Sequence, residues 1–455
     1  MNGSNVMSDA DTNHTKNVKI IDRFPKGVIT PPPSKSLSHR ALICAALADG
    51  ESLIENFEGS EDLDATLKGL EVLRGAQFLP KNDGVRVTVA GLPVEHDGVR
   101  VVDCGESGST LRFLLPVALL DGFRTVFRGS GRLLQRPLDI YEKIFTGAGA
   151  LFVREPGQVI IQGSRTQGPQ TQGPWPRESL DLRKILLPGD VSSQFISGLL
   201  LALPVFGQFG QDSEVRLSTP LESRGYVDLT IDVMRRFGVK VEEAETETGN
   251  SLYFVRGGQR YHPTRYGVEA DYSQAAFFLV AAALSSDVTV ASLNPESLQG
   301  DKAILTALKE AGAEVLWRDG KTSVSSARLS AITFDARDTP DLVPPVAALC
   351  CFCEGTSHIV GAGRLRLKES DRLSALAAEL KKLGAQVTEA EDSLSITGTR
   401  LKGGKVDAWG DHRIAMALAV TAIRCNGQVC LSGWRSVKKS YPNFWRDFEQ
   451  VAKIS

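Results

Sequence analysis

The sequence predicts an α/β protein of two lobes, each built from three copies of one repeat: strand, buried helix, strand, amphipathic helix and paired strands. Three observations lead to this prediction. The chain of 455 residues is too long for one hydrophobic core, so two domains are expected. Six apolar runs of helix length recur along it, and helices that end in glycine lie between them. Compact packing is favoured over an open solenoid, because the apolar runs have to be buried.

Each of the six apolar runs opens with small polar or charged residues. The openings are Ser36 (SLSHRALICAAL), Ser109 (STLRFLLPVALL), Ser192 (SSQFISGLLLAL), Ser273 (SQAAFFLVAAAL), Asp341 (DLVPPVAALCCF) and His412 (HRIAMALAVTAI). A helix that is apolar all round must be buried, so its polar first turn has to face a cleft or an interface. Free backbone N–H groups and the helix dipole attract anions at such a turn. The pattern therefore predicts sites for phosphate or carboxylate, and no metal site.

Between the apolar runs, amphipathic helices end at a glycine that a strand follows. The glycines are Gly75, Gly149, Gly238, Gly312 and Gly384, in steps of 74, 89, 74 and 72 residues. Each glycine suits the left-handed position just past a helix C-terminus. The longest step contains residues 164–178, with TQGP twice, which we expect to form a surface loop. A shorter last copy, NFWRDFEQVAKI, ends the chain.

Composition and charge argue against several classes of partner. With 42% hydrophobic and 23% charged residues the chain has the composition of a globular protein. Its net charge of −2 argues against nucleic acid or an anionic membrane as the main partner. No run reaches the roughly 18 uninterrupted apolar residues of a membrane span. Residues 1–17 are polar and are expected to be a disordered leader, neither a signal peptide nor a transit peptide.

The seven cysteines are odd in number, and several lie inside apolar runs. Cys351 and Cys353 have no CxxC partner or neighbouring histidine, so buried small hydrophobic residues are favoured over a metal site. We therefore expect no metal and no other cofactor. Unpaired buried thiols also indicate a reducing compartment, the cytoplasm.

Three charged segments stand where helices begin. In the first, Lys35 and Arg40 flank the start of a helix that Ser36 is expected to cap, with Lys35 just outside it, and they form a cradle for phosphate or carboxylate. The second, residues 361–373, is a dense run of charges, and the third, residues 410–416, places a histidine and an arginine at the mouth of an apolar helix. The alternative for each is a plain cap or a solvated surface. No GxxxxGK[ST] occurs, which excludes a P-loop nucleotide enzyme.

In residues and in order, the chain resembles the family of 5-enolpyruvylshikimate-3-phosphate (EPSP) synthases. The resemblance runs from about Val18 onward and is carried by SKSLSHRAL, GESGSTLR, LLQRP, VSSQF, SRGYVDLT, SLQGD, LKESDRL, DHRIAM and KKSYPNF. It implies an inside-out α/β fold of six βαβαββ-type units, three per lobe, with buried helices whose N-termini face a cleft between the lobes. One lobe would comprise residues 34–269, and the other residues 18–33 with 270–455. Closure over the substrates is expected, with hinges near residues 31–34 and 268–270.

The reaction implied by the resemblance moves the enolpyruvyl group of phosphoenolpyruvate (PEP) to the 5-hydroxyl of shikimate 3-phosphate and releases phosphate, in the shikimate pathway to aromatic amino acids. The two substrates carry roughly five to six negative charges together, so many cations are needed. By resemblance, PEP is held by Lys35, Gly108, Arg136, Gln194, Arg372, Arg413 and Lys439. Shikimate 3-phosphate is held by Lys35, Ser36, Arg40, Ser192, Ser193, Gln194, Ser223, Tyr226, Asp341, Arg364 and Lys368. Arg112 is a further candidate cation.

Two carboxylates are the candidates for proton transfer. Asp341 would accept the proton of the attacking hydroxyl, and Glu369 would protonate the methylene carbon of PEP, with Lys35 assisting. From the residues alone, a helix cap for Asp341 and a surface ion pair for Glu369 are the more ordinary roles; the resemblance reverses that preference. Asp271 and His412 are expected in the same cleft, without an assigned role.

At two positions the chain departs from the residues that many family members carry. Glu106 stands where many have Asn beside the PEP subsite, and Arg364 where many have Asn in a substrate-binding position. Gly108 is retained, and a methyl group there would crowd the PEP pocket. We therefore expect glyphosate, which competes with PEP, to bind, with an affinity that these two departures affect.

Two other functions stay as alternatives. A UDP-N-acetylglucosamine enolpyruvyl transferase would carry a reactive cysteine just before an Arg-Pro pair, and the stretch 129–137 (GSGRLLQRP) has none. A non-catalytic phosphosugar-binding protein of the same fold would have to keep both Asp341 and Glu369 without needing them. The family suggests a monomer.

Overall fold

The structure, a computed structural model, describes residues 15–18, 26–81, 84–89, 99–163, 180–207, 210–285 and 287–452. By its internal contacts the chain divides into two compact units. The terminal unit contains the described residues up to Pro31, those from Tyr272 to Leu293 and those from Asp301 onward. The central unit contains Pro32–Asp271 and Asn294–Gly300.

This division differs from the expected lobes by two residues at each crossing, since residues 32–33 and 270–271 group with the central unit, and by the segment Asn294–Gly300, which also groups with the central unit. The physical reason is a set of hydrogen bonds to the end of that unit. Gln299 Nε2 donates to the carbonyl oxygen of Ala270 (2.8 Å), and Asn294 Nδ2 donates to Glu269 Oε1 (2.9 Å). Apart from that segment, the chain passes from the terminal unit to the central unit after Pro31 and returns to the terminal unit after Asp271.

In its described residues, the central unit has three buried helices, three amphipathic helices and three four-stranded sheets. The buried helices are α1 (Lys35–Leu47), α3 (Gly108–Ala118) and α5 (Ser193–Phe206), and the amphipathic ones are α2 (Glu61–Arg74), α4 (Asp139–Gly147) and α6 (Arg224–Arg236). The strands are β3 (Glu51–Glu55), β4 (Ala76–Lys81), β5 (Gly84–Val89), β6 (Val99–Asp103), β7 (Arg124–Arg128), β8 (Leu151–Glu155), β9 (Gln158–Gln162), β10 (Lys184–Leu187), β11 (Ser213–Leu217), β12 (Val241–Glu245), β13 (Ser251–Val255) and β14 (Arg265–Gly267). The sheet orders are β14-β3-β5-β4, β6-β7-β9-β8 and β10-β11-β13-β12.

The terminal unit repeats this plan. Its buried helices are α7 (Tyr272–Ser285), α9 (Val343–Cys350) and α11 (His412–Ala422), and its amphipathic ones are α8 (Ile304–Glu310), α10 (Arg372–Lys382) and α12 (Phe444–Val451). The strands are β1 (Thr15–Val18), β2 (Lys26–Ile29), β15 (Asp287–Ala291), β16 (Glu314–Arg318), β17 (Lys321–Ser325), β18 (Thr333–Asp335), β19 (Thr356–Val360), β20 (Gln386–Glu389), β21 (Leu394–Thr397), β22 (Lys402–Asp407) and β23 (Asn426–Ser432). The sheet orders are β16-β17-β15-β2, β18-β19-β21-β20 and β1-β23-β22. Short 3₁₀ segments lie at Leu133–Gln135, Gly300–Ala303, Pro340–Leu342, Gly363–Leu367 and Trp434–Lys439.

In each unit, the first strand of one repeat is far away in sequence from the rest of that repeat. β2 pairs in parallel with β15, although the chain between them builds most of the central unit. β14 likewise pairs in parallel with β3, and the next helix along the chain, α7, belongs to the terminal unit. Parallel pairing at the start of each sheet is what a crossover through a buried helix requires. The predicted repeat is confirmed.

The buried helices are as apolar and as enclosed as their sequences predict. All fourteen residues of α7 are buried, and α3 packs against α5 while α7, α9 and α11 pack against one another. At Gly198 of α5 an added Cβ would overlap the Tyr141 hydroxyl and the Arg112 carbonyl oxygen. Tyr141 Oη donates across this close contact to Arg112 O (2.9 Å) and Phe195 O (3.0 Å). These bonds fix the polar ends of α3 and α5 relative to each other.

Turn and terminus predictions have mixed outcomes. The five helix-ending glycines all have left-handed φ angles, from 63° at Gly75 to 94° at Gly149. The expected disordered leader extends too far, because Thr15–Val18 forms β1, an edge strand antiparallel to β23. Residues 1–14 of that leader and the predicted loop at 164–178 lie outside the described residues.

All seven cysteines lie in described parts of the chain, and none of them is in a disulfide. Five are buried, among them Cys351 and Cys353, as the small-hydrophobe interpretation predicts. None of the helices among the described residues has both the length and the apolar character needed to cross a membrane.

Candidate active site

In the terminal unit, Arg372 is the centre of a group of charged side chains. Arg372 Nη1 donates to Asp341 Oδ1 (3.0 Å), Nη2 donates to Glu369 Oε2 (2.8 Å), and Nε donates to Asp411 Oδ2 (2.8 Å). The Arg372 side chain is 2% exposed, so these bonds form in a largely water-free setting. A fork with five N–H groups can orient three carboxylates at once, which an ammonium group cannot do. We call Asp341, Glu369, Arg372, Asp411 and Arg413 the Arg372 cluster.

Asp341 lies in the 3₁₀ turn Pro340–Leu342 that leads into α9. Arg413 binds it twice, through Nη2 to Oδ2 (2.9 Å) and through Nη1 to the Asp341 carbonyl oxygen (3.1 Å). Lys368 Nζ lies 3.6 Å from Asp341 Oδ1. The N-cap residue of α9 is Leu342, which makes no side-chain capping bond, and the Asp341 carboxylate binds Arg372 and Arg413.

The surrounding cations keep Asp341 ionised. Burial alone would raise the pKa of Asp341, but the positive charges around it, Arg413 foremost, outweigh burial and hold the pKa well below its ordinary value. Burial lowers the pKa of Lys368, although the charge of Asp341 opposes that shift. Burial also disfavours charge on Arg372, yet the neighbouring carboxylates, Asp411 first, raise its pKa above the ordinary value. Asp341 is therefore held in its ionised form.

Asp411 holds this cluster to the start of α11. It is the N-cap of that helix, accepting from the Arg413 backbone N–H (2.9 Å), and its Oδ2 also accepts from Ser370 Oγ (3.1 Å). Asp411 is completely buried. His412, the first residue of α11, is 1% exposed, and its Nδ1 lies 3.8 Å from Asp411 Oδ1. Both His412 and Arg413 are thereby placed at the polar end of α11, as predicted.

Two further predicted residues lie on the edges of the cluster. Lys439, at the end of the 3₁₀ segment Trp434–Lys439, is buried with its Nζ 3.8 Å from Glu369 Oε1. Arg364 donates through Nη2 to the carbonyl oxygen of Arg337, and its charge acts on Lys368. Four cations, Lys368, Arg372, Arg413 and Lys439, therefore contact three carboxylates.

In the central unit, the start of α1 carries Lys35 and Ser36. Lys35 is the first residue of α1, and the cap is Ser34, whose Oγ accepts from Leu37 N (3.5 Å), so the expected Ser36 cap is wrong by two residues. Lys35 Nζ donates to Asp62 Oδ2 (2.7 Å), and the Lys35 N–H donates to Asp271 Oδ2 (3.0 Å). Competition between two nearby serines for the cap explains the error in the boundary.

Arg40 is a buried cation with neutral partners. Its donors reach Thr230 Oγ1 (2.7 Å), the carbonyl oxygens of Tyr226 (2.9 Å) and Ser36 (2.8 Å), and Ser197 Oγ (3.4 Å). No described carboxylate is hydrogen-bonded to it. Burial lowers the pKa of Arg40 to about 10. A buried cation without a counter-ion favours a bound anion nearby.

The start of α3 brings together four predicted residues, which we call the Arg112 cluster: Gly108, Arg112, Arg136 and Gln194. Arg112 Nη1 donates to Gln194 Oε1 (2.7 Å), and Gln194 Nε2 donates to Ser109 Oγ (3.0 Å). A Cβ added at Gly108 would lie 2.9 Å from Arg136 Nη1, 3.5 Å from Gln194 Oε1 and 3.6 Å from Arg112 Nη1. A side chain at this position would therefore displace the Arg136 guanidinium from its present place.

The remaining predicted residues of the central unit lie at the starts of α5 and α6. Ser192 is the N-cap of α5, accepting from Gln194 N (3.4 Å), and Ser193 is its first residue and is buried. Ser223 precedes α6 with φ 58°, a left-handed conformation that serine adopts only when its surroundings impose it. Tyr226 lies in the first turn of α6, where its carbonyl oxygen accepts from Arg40.

Sequence reasoning missed the partners that fix these residues. Asp62, 27 positions from Lys35, was not singled out, and neither were Thr230 and Ser197. Asp411 is part of the DHRIAM segment, but no functional role was predicted for it. Asp411 has a local signal, since it directly precedes an apolar helix, whereas Asp62 has none. No group of three or more His, Cys, Asp or Glu side chains that could hold a metal ion occurs within the described ranges.

Comparison with known proteins agrees with the fold. A family model described as EPSP synthase (3-phosphoshikimate 1-carboxyvinyltransferase) matches residues 21–448. The chain is 43% identical over 439 residues to the 3-phosphoshikimate 1-carboxyvinyltransferase of Clostridium acetobutylicum, which covers 95% of this chain and 97% of that protein. It is 41% identical over 451 residues to the protein of the same name from Clostridium novyi, with 96% and 98% covered. A solved EPSP synthase from Acinetobacter baumannii superposes with a TM-score of 0.75 at 26% identity, covering 97% of this chain and 98% of that one. The chain therefore belongs to the EPSP synthase family.

Proposed function

We propose that this chain is a 3-phosphoshikimate 1-carboxyvinyltransferase, which transfers the enolpyruvyl group of PEP to the 5-hydroxyl of shikimate 3-phosphate and releases phosphate. The observation that carries the proposal is the sharing of Arg372 by two carboxylates. Asp341 and Glu369 bind the same guanidinium at 3.0 and 2.8 Å. Two acids in one place, with cations around them, are what addition and elimination on an enol phosphate need.

In the first step the 5-hydroxyl oxygen attacks C2 of PEP while a proton is added to C3. Asp341, held as an anion by Arg413 and its neighbours, accepts the hydroxyl proton. Glu369 in its acid form donates the proton that converts the C3 methylene into a methyl group. The product of this step is a tetrahedral adduct that carries both the phosphate and the new C–O bond.

In the second step the adduct loses phosphate. The C2–O bond to phosphate breaks, a proton leaves C3, and the double bond between C2 and C3 forms again. The leaving phosphate carries negative charge, which Lys439, near Glu369, and Arg372 are suited to stabilise. Glu369 recovers the proton from C3, and Asp341 passes the hydroxyl proton to the departing phosphate, so both carboxyl groups return to their starting states.

The binding residues follow the same assignment. For PEP we propose Arg372, Arg413 and Lys439 of the terminal unit with Lys35, Gly108, Arg136 and Gln194 of the central unit. For shikimate 3-phosphate we propose Asp341, Arg364 and Lys368 of the terminal unit with Lys35, Ser36, Arg40, Ser192, Ser193, Gln194, Ser223 and Tyr226 of the central unit. Arg40 supports this proposal, because it is buried among neutral acceptors and an anionic substrate would supply the missing charge.

The experiment is phosphate release from PEP, measured with and without shikimate 3-phosphate in the presence of EDTA. We expect release that requires shikimate 3-phosphate and that the chelator leaves unchanged. Release with UDP-N-acetylglucosamine instead would establish the cell-wall enzyme. No release with either acceptor, together with binding of shikimate 3-phosphate, would leave the phosphosugar-binding protein.

Three properties belong to the same proposal. Glyphosate, which competes with PEP in this family, is expected to bind beside Gly108, where Arg136 and Arg112 lie within reach of an added Cβ. The enzyme is expected to act as a monomer. A cytoplasmic location is supported by the seven cysteines, all of them outside disulfides in the described chain.

A further inference from the structure

Residues 368–370 form neither helix nor strand, yet each of them contacts a residue of the Arg372 cluster. Lys368 Nζ lies 3.6 Å from Asp341 Oδ1, Glu369 Oε2 accepts from Arg372 (2.8 Å), and Ser370 Oγ donates to Asp411 Oδ2 (3.1 Å). A segment without regular backbone bonding needs other contacts to hold its side chains to a fraction of an ångström.

Arg366 is bonded to the far end of this segment. Its Nη1 donates to Asp371 Oδ2 (2.9 Å), and Asp371 Oδ1 accepts from Ser374 N (3.1 Å) as the N-cap of α10. The Arg366–Asp371 bond therefore closes a small loop whose interior is residues 367–370. Both ends of the loop are tied, one to the 3₁₀ segment Gly363–Leu367 and the other to α10.

The same guanidinium fastens that loop to the hairpin of β20 and β21. Nη1 also donates to Glu389 Oε1 (2.8 Å), while Nε and Nη2 donate to carbonyl oxygens in the hairpin turn. Ser374 joins the network, because its Oγ donates to Glu389 Oε1 (2.7 Å) and accepts from Arg366 Nη1 (3.1 Å). The turn acceptors are Glu391 O (2.8 Å) and Ala390 O (2.7 Å).

The network is partly exposed, so its ion pairs make only a modest contribution to stability. The side chains of Arg366, Asp371 and Glu389 are 27%, 31% and 27% exposed, and ion pairs with that much contact with water contribute little to folding. Its geometry is nevertheless specific, since three different nitrogen atoms of Arg366 are bonded and a lysine offers only one. The arrangement suits a side chain that sets the position of a neighbouring segment.

We propose that Arg366 is a positioning residue for Glu369: by bonding Asp371 and the β20–β21 hairpin it holds residues 368–370 so that the Glu369 carboxyl group stays on Arg372. This inference rests on the proposed function, in which Glu369 moves the proton at C3 of PEP. Arg366 acts through Glu369 and is not itself expected to contact substrate.

The test is a double-mutant cycle with Arg366→Lys and Glu369→Gln, measuring kcat and the KM for each substrate. In the wild-type background Arg366→Lys is expected to lower kcat about 10- to 100-fold, with KM values changed less than about threefold. In the Glu369→Gln background the same substitution is expected to change kcat less than about twofold, because the group it positions is already absent. Equal losses of kcat in the two backgrounds would overturn the proposal, as would an unchanged kcat in the wild-type background.

The matched control is Arg328→Lys, at an exposed ion pair with Glu354 in the same unit, which should leave kcat unchanged. If Arg366→Lys fails to fold, Glu389→Gln replaces it, since this variant keeps the acceptor for Ser374 and removes the charge that Arg366 binds. Glu389→Gln should also lower kcat, by a smaller factor than Arg366→Lys.

A second readout separates this inference from the proposed function. Hydrogen exchange of the peptide spanning residues 363–372 should be faster in Arg366→Lys than in the wild type, and unchanged in Glu369→Gln. If the wild type releases no phosphate but this exchange difference is found, the proposed function fails and the positional role of Arg366 stands. Identical exchange in Arg366→Lys and the wild type would overturn the role whatever the activity.

Discussion

Arg372 holds Asp341 at 3.0 Å through Nη1, and its two other nitrogen atoms bind Glu369 and Asp411. The two acids proposed for proton transfer therefore depend on one cation, which is itself anchored to the cap of α11. This connection makes Arg372 as important for the fold of the site as for its chemistry.

Arg372→Lys is expected to destabilise the protein by about 3 kcal/mol, since a single ammonium group leaves at least one buried carboxylate without its partner. The measurement is equilibrium unfolding in urea. Arg328→Lys serves as control, because the Arg328–Glu354 pair is exposed and its rearrangement should change the free energy of unfolding by less than about 0.5 kcal/mol. Equal stability of the two variants would show that the Arg372 bonds do not persist in solution.

Glu369→Gln is expected to lower kcat by about 10² to 10⁴, because glutamine cannot donate or accept the proton at C3 of PEP. The KM for PEP should change little, since the amide keeps an oxygen that Arg372 can bind. Steady-state phosphate release measures both constants. The control is Glu354→Gln, an exposed carboxylate of the same unit, and a comparable loss in that variant would refute the special role of Glu369.

Asp341 links stability to pH. Because the pKa of Asp341 in the folded protein lies below its ordinary value, its ionised form stabilises the fold. That stabilisation is complete above the pKa of the unfolded chain, about 3.9, and is lost as the pH falls toward the lower folded value. Asp341→Asn should therefore be less stable than the wild type at pH 7, and the difference should shrink below about pH 4.

Urea unfolding of both proteins between pH 3 and pH 7 measures this difference. Asp319→Asn is the control, because the Asp319 side chain is 88% exposed and its replacement should give almost the same curve as the wild type. A difference between Asp341→Asn and the wild type that stays constant over the whole range would contradict the lowered pKa of Asp341.

Much of the fold could be predicted because the local pattern decides it. An all-apolar run such as that of α7 has to lie in the protein interior. A glycine such as Gly75 marks a helix end because glycine readily adopts the left-handed conformation needed there, and its φ is 63°. β1 could not be predicted in this way. Its sequence, TKNV, is polar, and it is a strand only because β23 offers it an edge to pair with.

The residues of the site can likewise be divided into those that the sequence predicts and those that it does not. Residues at helix starts, such as Lys35, Arg40 and His412, stand out in the sequence because charge is unusual beside an apolar run. Their partners do not, since Asp62 reaches Lys35 across 27 residues and Asp411 reaches Arg372 across 39. Which carboxylate meets which cation depends on how the helices pack, and no spacing rule contains that information.

Arg40→Met tests whether the buried Arg40 guanidinium binds the anionic substrate shikimate 3-phosphate. Shikimate 3-phosphate should raise the melting temperature of the wild type, since a ligand that binds only the folded state stabilises it. In Arg40→Met that rise should be largely lost, and the KM for shikimate 3-phosphate should increase about 10- to 100-fold, as expected for loss of a charged hydrogen bond. Arg216→Met, at an exposed pair with Glu214, should keep the full rise. An equal rise in both variants would place the anion elsewhere.

Gly108→Ala tests the Arg112 cluster and the glyphosate proposal together. The added methyl group would lie 2.9 Å from Arg136 Nη1, closer than a carbon and a nitrogen can pack, so the guanidinium has to move. We expect the KM for PEP and the inhibition constant for glyphosate each to rise about tenfold or more, while kcat, which depends on the Arg372 cluster, changes less. The matched control is Gly147→Ala in α4, where an added Cβ meets no described atom within 4 Å. Glyphosate inhibition that is equal in the wild type, Gly108→Ala and Gly147→Ala would show that glyphosate does not bind beside Gly108.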